Sequence, residues 1–472
     1  MGDAVNGFAD VVAPADFPQT TLRFWNDRWA SRIGLGELSD AEKIAAFARF
    51  NPLPGAQHSP LAMRYHGHQF RHYNRDLGDG RGFLFAQCED PVDHRLLDFG
   101  TKGSGQTPWS RAGDGRLTLK GAVREALATE MLESLGVNTS KTFSFFETGE
   151  PLQRGDEPSP TRSAVLTRLS HGHIRYGTFQ RLAVTGQLDR MRALIDYSIR
   201  VYFQDLVSVA EDERPFALLE RVVLNAADLA ASWMMSGFVH GVLNTDNMNI
   251  TGESFDYGPW RFLPFYDPSF TAAYFDHEGL YSYSRQPEAV YWNLDQLARA
   301  LFAMSPAAEE SSWQARFVSI LGKFPPLFQS ALLKRFFVRL GVAQPSSDEL
   351  AEEVFVAAFG AMGESKVAFE QFFFDWFSGS LRAGAKGRYK TAKSIEFQKL
   401  LGRLFSSQSL LASPMAVSLL DSDYYLGESP EMLLIDEVEA IWAAIEVGDD
   451  WSLFHSKIAA LRARGKLHGY GF

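Results

Sequence analysis

Asp246, Asn247 and Asp256 are the side chains whose types and spacing could do chemistry together. They lie in His240-Gly241-Val242-Leu243-Asn244-Thr245-Asp246-Asn247 and, a short loop later, Phe255-Asp256-Tyr257-Gly258. An amide oxygen and a carboxylate so placed, Asn247 and Asp256, can hold one divalent cation of the Mg2+ class and leave positions for phosphate and water. Asp246, beside the amide, can take a proton from an incoming hydroxyl.

Protein kinases build an active site from such parts: a His-led loop ending in a metal-binding Asn, then Asp-Phe-Gly. The spacing from His240 to Asn247 is the kinase spacing, but Val242 stands at the place of the kinase base. Asp246 follows four residues later, and Tyr257 replaces the Phe. Asp98-Phe99-Gly100 has the kinase letters but precedes the His-Asn loop, so it reads as strand residues running into Lys102.

Other elements must bring phosphate-binding groups to these residues. Gly78-Asp79-Gly80-Arg81-Gly82 precedes a strand, and its glycines would let backbone approach phosphate while Arg81 adds charge; an ordinary hairpin turn has the same composition. Lys102 ends a strand and Glu125 lies on the next helix, the kinase lysine–glutamate arrangement, with Glu130 and Glu133 as rival partners. Arg168 and Arg175 could clamp a polyphosphate or could be surface arginines. Asp114-Gly115 reads as a polar loop over a nucleotide or as a plain turn. The paired His66 and His68 suggest a metal only weakly, because no zinc-like partner accompanies them. Glu147, Glu150 and Glu211–Glu213 are not placed in any cleft, and the charges of Asp348–Glu353 read as solvated helix surface. Neither a Walker A pattern nor a Gly-x-Ser-x-Gly elbow is present.

The order along the chain is strands and one helix, then helices, with the chemical loops between. Residues 81–87, 95–100, 143–147 and 164–169 read as strands. A helix starts near Lys120, with Val123, Leu127 and Met131 on one face and Gly136 as its stop. A short helix is expected around 41–50, two over 181–237, and mostly helix over 293–472. This divides the chain into an N-terminal extension (1–60), a Gly-rich lobe (61–180), a lobe with the catalytic and metal loops (181–300) and a helical extension (301–472). The 472 residues are 46% hydrophobic, enough for a full core, and the net charge of −11 excludes a general nucleic-acid binder. The lone Cys88 excludes an intrachain disulfide. With no signal-like start and no long apolar run, a soluble, cytoplasmic, monomeric protein is expected.

Several runs in one order resemble the selenoprotein O (YdiU) family. They are Tyr65–Phe70, Leu77–Arg81, Lys102–Arg111, Gly113–Arg116, His240–Asn249, Phe255–Pro259, Tyr281-Ser282-Tyr283 and Gln286-Pro287, spanning roughly residues 60–300. The resemblance implies an α+β, protein-kinase-like fold with a strand-rich N-terminal lobe and a helical C-terminal lobe. It implies a protein adenylyltransferase that binds ATP in a flipped orientation and modifies Ser, Thr or Tyr hydroxyls of protein targets. By position, Gly78, Gly80, Arg81, Asp114, Gly115, Arg168 and Arg175 would contact ATP, and Lys102 would hold phosphate with Glu125 as partner. Asp246 would be the general base, and Asn247 and Asp256 would bind Mg2+ or Mn2+. A kinase transferring the γ-phosphoryl group, a uridylyltransferase using UTP with manganese, and a non-catalytic ATP-binding pseudokinase are the alternatives. The chain departs from the family at its end: Gly469-Tyr470-Gly471-Phe472 replaces the redox cysteine or selenocysteine of many members, and Cys88 lies far from there.

Overall fold

The computed structural model describes residues 7–54, 59–155 and 157–471. Its architecture is α+β, with a strand-rich lobe and a helical lobe. The strands in chain order are β1 (Ala9–Val11), β2 (Thr21–Trp25), β3 (Leu61–Met63), β4 (Gly67–Gln69), β5 (His72–Asn74), β6 (Leu84–Glu89), β7 (Leu96–Lys102), β8 (Leu117–Thr118), β9 (Lys141–Leu152), β10 (Thr161–Ser170), β11 (Phe238–Val239) and β12 (Arg261–Phe262). Eight of them form one antiparallel sheet in the order β1-β3-β6-β7-β10-β9-β2, with β8 on β10. β4 pairs with β5, and β11 with β12.

The helices are α1 (Asp27–Arg32), α2 (Asp40–Phe47), α3 (Leu119–Ser134), α4 (Tyr176–Val184), α5 (Leu188–Tyr202), α6 (Arg214–Met235), α7 (Gln286–Phe302), α8 (Glu310–Leu321), α9 (Phe324–Leu340), α10 (Asp348–Ser365), α11 (Phe369–Asp375), α12 (Ala392–Ser406), α13 (Pro414–Leu419), α14 (Asp423–Leu426), α15 (Ile435–Gly448) and α16 (Ser452–Leu467).

The sheet is covered on both faces, so β7 and β10 are buried almost throughout, their polar residues included. On β10 the alternation sends Val165 to one face, with Trp29 of α1 and Phe47 of α2, and Leu166 to the other, with Val123 and Leu127 of α3. On β9 the register slips at Phe143, so Phe143 and Phe145 point to opposite faces although they are two residues apart. α3 is capped by Thr118, whose hydroxyl accepts from Gly121 N–H, and it stops at Gly136, whose φ is +75°.

The strand expected at 81–87 begins only at Leu84, because Phe83 N–H donates to the Thr101 hydroxyl at 3.0 Å and Gly80–Arg81 lie in a bend. The stretch 181–237 holds α5 and α6 as expected, and α4 straddles its start. The first 60 residues, read as an extension, supply both edge strands of the sheet, β1 and β2. The helical C-terminal stretch also returns to the sheet lobe. Arg462 of α16 forks onto Glu130 of α3 at 2.6 and 2.9 Å, and Phe454 packs edge-on to Phe24. Strands as short as β1 carry too little pattern to be seen in sequence, and the docking of α16 is a long-range event. No helix among the described residues is long and apolar enough to cross a membrane.

Candidate active site

A cleft of about 670 Å3 opens between the sheet lobe and the turn carrying Asp246. It is lined by Gly78, Gly80, Arg81, Lys102, Asp114, Gly115, Arg168, Arg175, Asp246 and Asp256, ten of the residues singled out from sequence. Glu125 stands behind Lys102 rather than in the wall, and Asn247 is half-buried on the turn Thr245–Asn247. The strands deliver the cations: Lys102 ends β7, Arg168 lies near the end of the adjacent β10, and Arg175 precedes α4.

The inner wall is a closed network of charge. Lys102 Nζ donates to Glu125 Oε2 at 2.6 Å and lies 3.6 Å from Asp256 Oδ1. Arg168 Nη2 donates to Glu125 Oε1 and Asp256 Oδ1, both at 3.0 Å. Arg175 Nη2 reaches Asp256 Oδ2 at 3.3 Å and Asp79 Oδ1 at 3.5 Å. Aromatic rings support the guanidiniums: Arg168 lies over Phe255 at 5.2 Å, and Arg175 over Tyr65 at 4.5 Å and Phe255 at 4.9 Å. Burial by itself would raise the pKa of Glu125, but Lys102 and Arg168 outweigh it and hold the carboxyl below its ordinary value. Asp256 keeps 24% of its side chain in the cleft, and Arg168, Lys102 and Arg175 hold it well below the ordinary range. Both stay ionised, as buried charges do when paired. Arg168 Nε and Arg175 Nε and Nη1 are enclosed donors that no protein acceptor meets.

Asp246 behaves differently. Burial pushes its pKa up to about 7, with Arg175 opposing the shift and Asp256 adding to it. Its Oδ1 is enclosed and has no hydrogen bond. A carboxyl with this value is poised to exchange a proton near neutrality. An enclosed oxygen without a partner, next to an amide and near a second carboxylate, also suits a hard divalent cation such as Mg2+ or Mn2+. The amide oxygen of Asn247 and the carboxylate of Asp256 are donor types that such an ion takes.

The rim is charged but exposed. Asp114 forks onto Arg154 at 2.8 and 3.1 Å, and Arg116 pairs with Glu150 at 2.9 Å. The loop after Gly105 is pinned to the Gly78–Gly80 segment: Thr107 Oγ1 donates to Asp79 O at 2.6 Å and Ser110 Oγ to Gly80 O. It presents Arg111, exposed and with a left-handed φ of 55°, to the cleft. Sequence reasoning gave no role to Asp79, Tyr65, Phe255 or Arg111. A carboxylate between two glycines of a phosphate loop was the signal available for Asp79.

The remaining candidates have structural explanations. Asp98 lies inside β7 and accepts from Gln87 at 2.6 Å. His66 Nδ1 contacts the Tyr73 hydroxyl and His68 Nδ1 the Gln180 amide, both at 2.8 Å. Glu130 and Glu133 face away from Lys102, toward Arg462 and Lys141. Glu147 is held between Arg23 and Arg162, and burial pushes the Cys88 thiol up to about 12, which makes it a poor nucleophile.

The sequence matches the family profile described as protein adenylyltransferase SelO over residues 1–462. It is 43% identical over 478 residues to the protein nucleotidyltransferase YdiU of Gloeobacter violaceus, covering 96% of this chain and 92% of that one. The YdiU protein of Trichormus variabilis is 40% identical over 480 residues, with 98% and 94% covered. That of Vibrio cholerae is 36% identical over 366 residues, with 77% and 71% covered. With an α+β fold of the kinase-like order and near full-length similarity, this chain belongs to the SelO family of nucleotidyltransferases.

Proposed function

We propose that the protein transfers AMP from ATP to a Ser, Thr or Tyr hydroxyl of a target protein and releases pyrophosphate. The observation that carries this reading is Asp246, a carboxyl raised to about 7 at the wall of a cleft holding three buried cations. The acceptor hydroxyl gives its proton to Asp246 as its oxygen bonds to the α-phosphorus. The bond from that phosphorus to the bridging oxygen breaks, and pyrophosphate departs with the electron pair. Lys102, Arg168 and Arg175 neutralise the phosphates, an effect that grows as water leaves the cleft. Arriving phosphate oxygens also satisfy the guanidinium donors that no protein group meets. A divalent ion held by Asn247 and Asp256 would add positive charge at the phosphates. Gly78, Gly80, Arg81, Asp114 and Gly115 form the rim against which the rest of the nucleotide would lie.

Val242 at the kinase base position weighs against γ-phosphoryl transfer. The wider word nucleotidyltransferase, attached to the YdiU relatives, keeps UTP as a second donor to be compared. The test is incubation with ATP labelled at the α- or γ-phosphate, or UTP labelled at α, with Mg2+ or Mn2+. Label entering protein from the α-position of ATP is expected. Label from γ alone would falsify the proposal, and faster incorporation from UTP would replace adenylyl by uridylyl transfer. Nucleotide binding without label in protein would point to a pseudokinase.

A further inference from the structure

The run Tyr65-His66-Gly67-His68-Gln69-Phe70 sends Tyr65 and Gln69 to the cleft wall and also supplies β4 of the β4–β5 hairpin, laid against the turn that carries Asp246. The hairpin main chain grips that turn twice. His68 N–H donates to Thr245 Oγ1 at 2.7 Å, and Phe70 N–H donates to Asn244 Oδ1 at 3.0 Å. The Tyr281 hydroxyl donates to the same Asn244 oxygen at 2.7 Å.

Thr245 also closes a ring. Its hydroxyl donates to Gln180 Oε1 at 2.7 Å, and Gln180 Nε2 donates to His68 Nδ1 at 2.8 Å. A backbone N–H can only donate, so the hydroxyl accepts from His68; with the amide placed as it is, the hydroxyl proton goes to Gln180 Oε1 and the amide NH2 to the imidazole. The ring joins β4, α4 and the Asp246 turn, with Thr245 at 0% and Gln180 at 4% exposure. A buried network with each member satisfied is stiff.

Packing adds to the grip. A Cβ built on Gly67 would stand 3.0 Å from Asp246 Oδ1 and 3.1 Å from Thr245 Oγ1. One built on Gly177 of α4 would stand 2.0 Å from His66 O, whose own N–H donates to Gly177 O at 3.1 Å. The hairpin is thus wedged between α4 and the turn at contacts with little room for a side chain. Asp246 Oδ1 itself makes no hydrogen bond, so the neighbours of Asp246 set its place.

We infer that the β4–β5 hairpin is a clamp that positions Asp246, with Gly67 and Thr245 as positioning residues. The inference rests on the reading of Asp246 as the base. Displacing a reacting group by about 1 Å can cost about 100-fold in rate, so a loosened clamp lowers turnover while nucleotide affinity stays.

The test measures transfer from α-labelled ATP by the full chain carrying Thr245→Val, Thr245→Ser, Gly67→Ala or Asp246→Asn. Thr245→Val keeps the shape but opens the ring, and kcat is expected to fall about 10-fold or more with KM for ATP nearly unchanged. Thr245→Ser retains the hydroxyl and restores most of the rate. Gly67→Ala leaves the hydrogen-bond ring intact, presses its methyl on Asp246 and lowers kcat likewise; it carries the test if Thr245→Val does not fold. Wild-type kcat in Gly67→Ala and in folded Thr245→Val, with Asp246→Asn inactive, overturns the clamp. So does a loss in folded Thr245→Val that appears only in KM, or that Thr245→Ser shares in full. A wild-type rate in Asp246→Asn overturns the base assignment beneath it instead.

Discussion

The inner wall and the rim of the cleft use the same residue types and differ in almost every physical respect. Inside, Lys102, Arg168, Glu125 and Asp256 pair within a low-dielectric pocket, and the side chain of Glu125 is 1% exposed. At the rim, Asp114 and Arg154 make a fork of similar length with 47% and 22% of their side chains in solvent. The contact distances are alike, so distance does not tell the pairs apart. Desolvation does: removing one member of the inner set strands a charge away from water, whereas a rim charge is simply rehydrated.

Substitutions can break this comparison, and Glu125→Ala should act most strongly. It leaves Lys102 and Arg168 facing a lost carboxylate, and a destabilisation of about 3–5 kcal/mol with loss of transfer is expected. Urea unfolding and α-label incorporation read it out; a loss no greater than that of the rim variant Arg154→Ala sinks the distinction. Asp246→Asn is next and sharpens the contrast between paired and unpaired carboxyls within the cleft. Its fold and ATP affinity should persist while transfer falls about 10²–10⁴-fold.

Glu253, buried behind the cleft and accepting His171 N–H at 2.9 Å, is the counter-case to Glu125. Burial raises it from 4.5 to about 7, with Lys141 and Arg95 only partly opposing. A raised carboxyl contributes stability that is present below the unfolded value and is lost as pH climbs through the folded one. Between pH 5 and 8 the urea midpoint of Glu253→Gln should therefore fall less than that of the wild type. Equal slopes would show that Glu253 is ionised throughout. Arg154→Ala is the smallest expected effect, below about 1 kcal/mol in stability. A larger loss would mean that the rim fork is shielded from water.

Sequence motifs located the cleft because its groups come as compact runs with fixed order: Lys102 at a strand end, Asp246-Asn247 on one turn, Asp256 one loop later. The choice among Glu125, Glu130 and Glu133 was not legible from spacing, and only the family resemblance implied Glu125. All three lie on α3, where positions five residues apart are turned by about 140° around the helix axis. Which of them meets Lys102 depends on how the helix is rotated against the sheet, and Leu119, Val123 and Leu127 in the core decide that. The two readings of Arg168 and Arg175, clamp or surface, also needed burial to separate them.

Residue identity and local order determined the chemistry available to this chain: one flexible cation on a strand, two guanidiniums, an amide and two carboxylates in short loops. These are properties of neighbours along the backbone, and a linear text preserves them. Tertiary structure alone decided which charges lose their water, which carboxyls are raised to about 7, and that a His-containing hairpin packs on the turn 177 residues away. Each of these depends on packing between segments remote in sequence, where burial sets the electrostatic cost and no local pattern records it.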